Sequence, residues 1–246
     1  MSSNINILKE SINDVHMENL ISAIKEGKSK YFSHGARSPK KIEPIHKAIA
    51  EIFDAEKTLT VKSKGIGDDK EEKVAGVFYD KDCDITIKNT ENNKTSVVEV
   101  KFITTNYKQN ANNYFENLLG ATDNLRRNNI NVSQVVILPK TIPYLKREGI
   151  VSKLEIINDR DISKYRKLMA NTEYTSSPNN LLFLLIDMWA EVKIGDMLKN
   201  AVIHKESNVN MIDVMNSNFS EENIEFIKNH SNYNEFIQKV KNDVMA

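Results

Sequence analysis

The sequence predicts an α/β fold: a helix, a three-strand meander, a second helix and a further strand, followed by a helical C-terminal part. Three observations lead there. Apolar residues recur at about helical spacing near 3–26, 42–53 and 107–127. Between the last two lie β-rich runs at 58–62, 74–88 and 96–103, separated by polar or turn-forming stretches. A continuous apolar run, Val132 to Leu138, then ends at Pro139 and reads as a buried strand.

The elements follow in order. Ile5, Leu8, Ile12, Val15, Leu20 and Ile21 give the first helix its stripe. Residues 27–41 are basic and contain glycine, and read as a loop. Pro44 suits the first turn of the next helix, whose apolar face is Ile42, Ile45, Ile49, Ile52 and Phe53. Thr58 to Lys62 is the first strand and Gly65 to Lys73 a charged loop. Val74 to Tyr79 is expected as a strand running into Asp84-Ile85-Thr86-Ile87-Lys88. The turn formers of Asn89 to Thr95 read as a hairpin loop. Tyr107, Ala111, Tyr114, Phe115, Leu118, Thr122 and Leu125 line one face of a helix. Further on, helices are expected at Ser163–Ala170 and Asn179–Lys199, with Trp189 in the core. Asn208–Asn218 is expected as a loop or short strand, and capping residues at Ser220 and Asn232 announce the last two helices.

At 246 residues the chain suits a single domain, with its core at about 42–140 and residues 3–26 and 150–246 as additions. The lone cysteine, Cys83, rules out an internal disulfide framework. With no apolar leader at the N-terminus, a cytoplasmic location is expected. The longest apolar run, Leu181 to Ile186, is too short to span a bilayer, so no membrane role is expected. Formal charge is zero, which argues against indiscriminate coating of nucleic acid but leaves local basic patches open. One such patch spans 25–47 and carries Lys25, Lys28, Lys30, Arg37, Lys40, Lys41 and Lys47; it reads as a phosphate-contacting segment, or else as a solvated loop.

The run Ser96 to Ile103 contains Glu99-Val100-Lys101. Side chains alternate along a strand, so Glu99 and Lys101 share a face. Burying such a pair costs several kcal/mol per ion unless each is compensated, and a cation site at Glu99 would supply the reason. The upstream hairpin partner opens with Asp84, so folding back places two carboxylates and an amine at one end of the hairpin. This pattern, an Asp heading one strand and an acid-x-Lys on its antiparallel neighbour, resembles the PD-(D/E)XK nuclease superfamily, to which many type II restriction endonucleases belong. The one departure is Cys83 where the family often has proline.

The resemblance implies a restriction-endonuclease-like core with a mixed central sheet flanked by helices. It also implies a Mg²⁺-dependent endonuclease acting on double-stranded DNA as a homodimer. Asp84 and Glu99 would be metal ligands, with the Val100 carbonyl a third, and Lys101 would serve the attacking water. Asp82 would replace Asp84 if a bulge shifted the register, and Glu51 is the acid the first core helix could add. Gln109 and Asn110, on the asparagine-rich start of the next helix, are candidates for base contact alongside Arg37, Lys40 and Lys41. Two other readings are a repair, junction or defence nuclease without strict sequence specificity, acting on DNA or RNA, and a non-catalytic binding module. The five histidines are scattered and show no zinc-ligand spacing. There is no phosphate-binding glycine loop.

Overall fold

The computed structural model describes residues 2–36, 38–146, 148–198 and 208–246. In chain order the elements begin with α1 (Ser2–His34), a short 3-10 turn (Pro39–Lys41), α2 (Glu43–Asp54) and β1 (Leu59–Ser63). There follow β2 (Glu72–Val74), β3 (Lys81–Cys83), β4 (Ile85–Asn89), β5 (Thr95–Phe102), α3 (Tyr107–Arg126) and β6 (Asn131–Pro139). The second half comprises β7 (Thr141–Leu145), β8 (Val151–Ile156), α4 (Asp159–Met169), β9 (Asn180–Asp187), β10 (Asn210–Met211), α5 (Glu221–His230) and α6 (Tyr233–Met245).

One mixed sheet runs β1-β4-β5-β6-β9-β10. The expected meander is its antiparallel half, with Val61 opposite Ile87 and Ile85 opposite Val98. Strands β5, β6 and β9 are parallel to one another. Helices cover both faces, and the period of two along β9 shows how. Leu182, Leu184 and Ile186 join the apolar cluster beneath α1, α2 and α6; Leu181, Phe183 and Leu185 join the one beneath α3, α4 and α5. The fold is therefore α/β with a mixed central sheet flanked by helices. Among the described residues no helix is long and apolar enough to cross a membrane.

Several expectations are corrected. The segment 179–198 is not a helix: its apolar run is strand β9, and the described residues that follow it, 188–198, form none. A strand buried on both faces loses its alternation, and periodicity alone cannot separate it from a buried helix. The C-terminal region is thus not simply helical, since β8, β9 and β10 lie within it and β7–β8 form a separate hairpin. α4 starts four residues earlier than expected, at Asp159, because Asn158 and Asp161 form a reciprocal capping box. Ser220 stands at the expected cap of α5 but its hydroxyl bonds Asp159 (3.3 Å) rather than its own helix.

The basic stretch after residue 26 is also different. Helix α1 continues to His34 and ends at Gly35, whose φ of +84° is the left-handed conformation glycine tolerates. Gly27 is not a loop signal: a Cβ there would lie 2.4 Å from the Lys41 carbonyl oxygen, so the glycine permits close packing of backbones. Lys28 is fully buried, donates to the Met188 carbonyl (2.5 Å) and to Glu191 (3.0 Å), and sits over the Trp189 ring. Tyr31 and Phe32 pack edge-on to the same ring. Trp189 is core, as expected. This part of the patch is structural.

Finally, Val74 to Tyr79 is not a strand. Pairing stops at Val74, which lies opposite Lys81 in the small β2–β3 hairpin, and residues 75–80 form its loop.

Candidate active site

Asp84 lies at the break between β3 and β4. The ladder between β4 and β5 ends at Ile85–Val98, so the Val100 N–H has no strand partner there; it donates instead to Asp84 Oδ2 at 2.7 Å. The Ser63 hydroxyl holds the Asp84 backbone carbonyl at 2.8 Å. The Asp84 carboxylate is thereby fixed against β5 one residue from Glu99.

Strand parity puts Val98, Val100 and Phe102 into the core under α1 and α2. Glu99 and Lys101 go to the opposite face, beneath α3. There they line a cleft of about 400 Å³ with Lys81, Asp84, Val100, Tyr79, Gln134 and the α3 residues Asn117, Leu118 and Ala121. Gln134 is directly across the parallel register from Glu99 and is held by Thr122. The structure therefore brings Asp84, Glu99, Val100 and Lys101 into one cleft.

The pairing within the cleft differs from the simplest reading of the motif. Glu99 is bridged by Lys81, Nζ to Oε2 at 2.6 Å, with both side chains largely buried. Lys101 has no acid within ion-pair distance among the described residues and lies over the Tyr114 ring at 5.7 Å. The second Glu99 oxygen, Oε1, is buried without a hydrogen-bond partner among the described residues. The neighbouring Cys83 thiol donates to the Lys81 carbonyl (3.5 Å) and also lies against the Glu99 carboxylate. Burial, then repulsion from Asp84, push the Glu99 carboxyl up to about 7 against the pull of Lys81. Burial alone would lower the Lys81 ammonium, but Glu99 outweighs it and the net direction is up. Burial and Glu99 also raise the Cys83 thiol, which makes it a poor nucleophile.

Asp84 also meets two groups that sequence reasoning missed. His46 Nε2 stands 3.8 Å from Asp84 Oδ2, and Glu71 approaches from the loop before β2. One donor atom from each of His46, Glu71 and Asp84 falls within 4.8 Å of the others, a spacing that one ion could bridge. Neither nitrogen of the buried His46 has a hydrogen-bond partner among the described residues. Burial lowers the His46 pKa despite Asp84 and Glu43, which favours the neutral ring a metal needs. Burial and Asp84 raise Glu71. Orphaned buried donors on an oxygen-rich set fit a cation, and the imidazole favours a first-row transition ion such as Mn²⁺ beside the expected Mg²⁺. A signal for His46 was present: it is the polar residue on the apolar stripe of α2, one position after Ile45 and three before Ile49. Glu71 and Lys81 carried none.

The other named residues lie apart. Glu51 is on the solvated face of α2, 3.8 Å from Lys47; His46 occupies the position that faces Asp84. Asp82 is exposed, opposite Lys73 in the β2–β3 hairpin, and does not substitute for Asp84. Gln109 is exposed and Asn110 donates to the Asn106 carbonyl (3.1 Å); neither lines the cleft. Lys40 is exposed. Lys41 donates to the Ala36 carbonyl (2.5 Å) and Thr104 (3.4 Å), and burial together with Lys101 lowers it to about 8. Arg37 lies outside the described residues.

No family model, no curated protein and no solved structure matches the chain.

Proposed function

We propose that the chain is a metal-dependent nuclease that hydrolyses phosphodiester bonds in DNA, with a restriction-endonuclease-like core. The observation that carries the reading is the convergence of Asp84, Glu99 and Lys101 on one cleft, with Glu99 buried there. A chance hairpin would leave both acids solvated and paired with lysines; Glu99 is paired with Lys81 but largely buried, and Lys101 is left without an acid partner among the described residues.

Asp84 is the shared carboxylate of the site. An ion would be held by Asp84 with His46 and Glu71, or by Asp84 with Glu99 and the Val100 carbonyl. When bound, the ion would acidify a water and neutralise charge on the phosphate. Lys101, free of any acid partner among the described residues, orients the attacking water and offsets the negative charge that grows at phosphorus. Lys81 holds Glu99 in place and limits its repulsion with Asp84. Buried Gln134 closes the back of the cleft. A type II restriction enzyme acting as a homodimer on a palindrome is the specific form proposed.

Plasmid DNA incubated with Mg²⁺ or Mn²⁺ tests this. Discrete bands support the sequence-specific form, and a smear supports a repair, junction or defence nuclease. Intact plasmid with every divalent cation, or cutting undiminished by excess EDTA, overturns the metal-dependent reading.

A further inference from the structure

The loop that interrupts the expected second strand carries Val77, Phe78 and Tyr79, which are 49%, 71% and 51% exposed. Three consecutive exposed apolar side chains, two of them aromatic, are unusual in a hairpin loop, where polar turn formers are the norm. The backbone beneath them is tightly held. The buried Asn124 side chain of α3 accepts from the N–H groups of Phe78 (2.8 Å) and Tyr79 (3.3 Å) and donates to the Tyr79 carbonyl (2.9 Å). Val77 N–H donates to the Asn124 carbonyl (3.0 Å), and Asn128 holds the Ala75 carbonyl (2.8 Å). Gly76 lies flat against the Asn124 amide, where a Cβ would come within 2.0 Å of it. The rings are thus displayed on a fixed support and lose little freedom when something packs on them.

Their position indicates the occupant. Tyr79 lines the same cleft as Lys81, Asp84, Glu99 and Lys101. Planar apolar surface beside cationic side chains at a phosphodiester site matches the alternation of base and phosphate along a nucleic-acid strand. Paired bases inside a duplex hide their faces, so the ligand must present an unstacked base. We propose that Phe78 and Tyr79 form a stacking platform for unpaired nucleobases of a single-stranded or locally opened nucleic acid entering the cleft. This rests on the nuclease reading, and within it favours the repair, junction or defence form over a restriction enzyme that cuts paired duplex.

The test is fluorescence anisotropy in EDTA, where binding is read without cutting. Labelled single-stranded 12-mers of DNA and RNA are compared with the fully paired duplex of the same sequence, and plasmid cleavage is assayed separately. The parent should bind at least one single strand more tightly than the duplex. Phe78→Ala and Tyr79→Ala should each weaken single-strand binding about fivefold or more, the low end for loss of one base–aromatic stack. Duplex binding by Phe78→Ala, whose ring lies outside the cleft lining, should change less than twofold. Phe78→Trp should restore affinity, and its emission should be quenched by the oligonucleotide. Equal single-strand affinity in parent and alanine variants overturns the platform while leaving the nuclease reading intact, as does a parent that cuts plasmid but prefers duplex. A parent that self-associates, and becomes monomeric on Phe78→Ala, also overturns it, because the patch is then a contact between copies.

Discussion

Glu99→Gln should make the metal-free protein more stable. Burial and Asp84 raise this carboxyl from 4.5 to about 7 even with Lys81 attached, so ionised Glu99 costs the native state about 3 kcal/mol. The folded state holds the proton more tightly than the unfolded chain does. Stability attached to this group is therefore complete below pH 4.5, falls as pH rises from 4.5 to about 7, and stays lost above it. Glutamine resembles the protonated form and escapes that loss. In EDTA at pH 8 the variant should exceed the parent by about 3 kcal/mol, roughly 6–12 °C in Tm for a chain of this size. At pH 4.5 the two should nearly coincide. Added Mn²⁺ at about 100 times its Kd should return about 2.7 kcal/mol to the parent, and much less to the variant. Thermal and urea unfolding across that pH range, with and without metal, provide the readings. A parent more stable than Glu99→Gln at pH 8 in EDTA would refute the reasoning, because the Glu99–Lys81 bridge would then be a stabilising structural pair.

Lys101→Met should fold and keep metal, since no acid loses a partner, while single-turnover cleavage falls at least ~10²-fold; cutting at the parental rate would remove Lys101 from the site. His46→Asn should weaken Mn²⁺ binding by at least ~10-fold and weaken Mg²⁺ less; calorimetric titration showing unchanged affinity for both would exclude His46 as a ligand. Lys28→Met should cost about 1–3 kcal/mol of stability, because the Met188 carbonyl and Glu191 lose a donor. It should leave the salt dependence of DNA binding unchanged, and a shallower slope would put Lys28 back on the DNA. Lys40→Ala should reduce the slope of log K against log salt by about 0.9 if its amine meets a phosphate, and an unchanged slope returns Lys40 to solvent.

Where the physics was local, the sequence reading and the structure agree. The stripe of α2, the hairpin between Ile85 and Phe102, the long face of α3 and the buried strand at 132–138 all appear. Each is set by a spacing of two or about 3.6 within a few turns of chain. Where one residue pattern serves two structures, the reading failed. Leu181 to Ile186 is apolar on both faces, and only packing between two helical layers makes it a strand. Gly27 resembles a loop breaker until the backbone of Lys41 is placed against it. Val77, Phe78 and Tyr79 look like a buried strand, yet Asn124 of α3 turns that backbone out of the sheet.

For the candidate site the division is similar. The sequence alone placed Asp84, Glu99 and Lys101 at one end of a hairpin, because strand alternation and a short polar connection require it. Only the tertiary structure decided which charges meet. Lys81 takes Glu99, Lys101 is left over an aromatic ring, and His46 and Glu71 reach Asp84 from segments nearly 40 and 13 residues away. Alternation determines the face a side chain occupies. Its partners depend on how helices and loops far apart in the chain close over that face, and no local spacing encodes that.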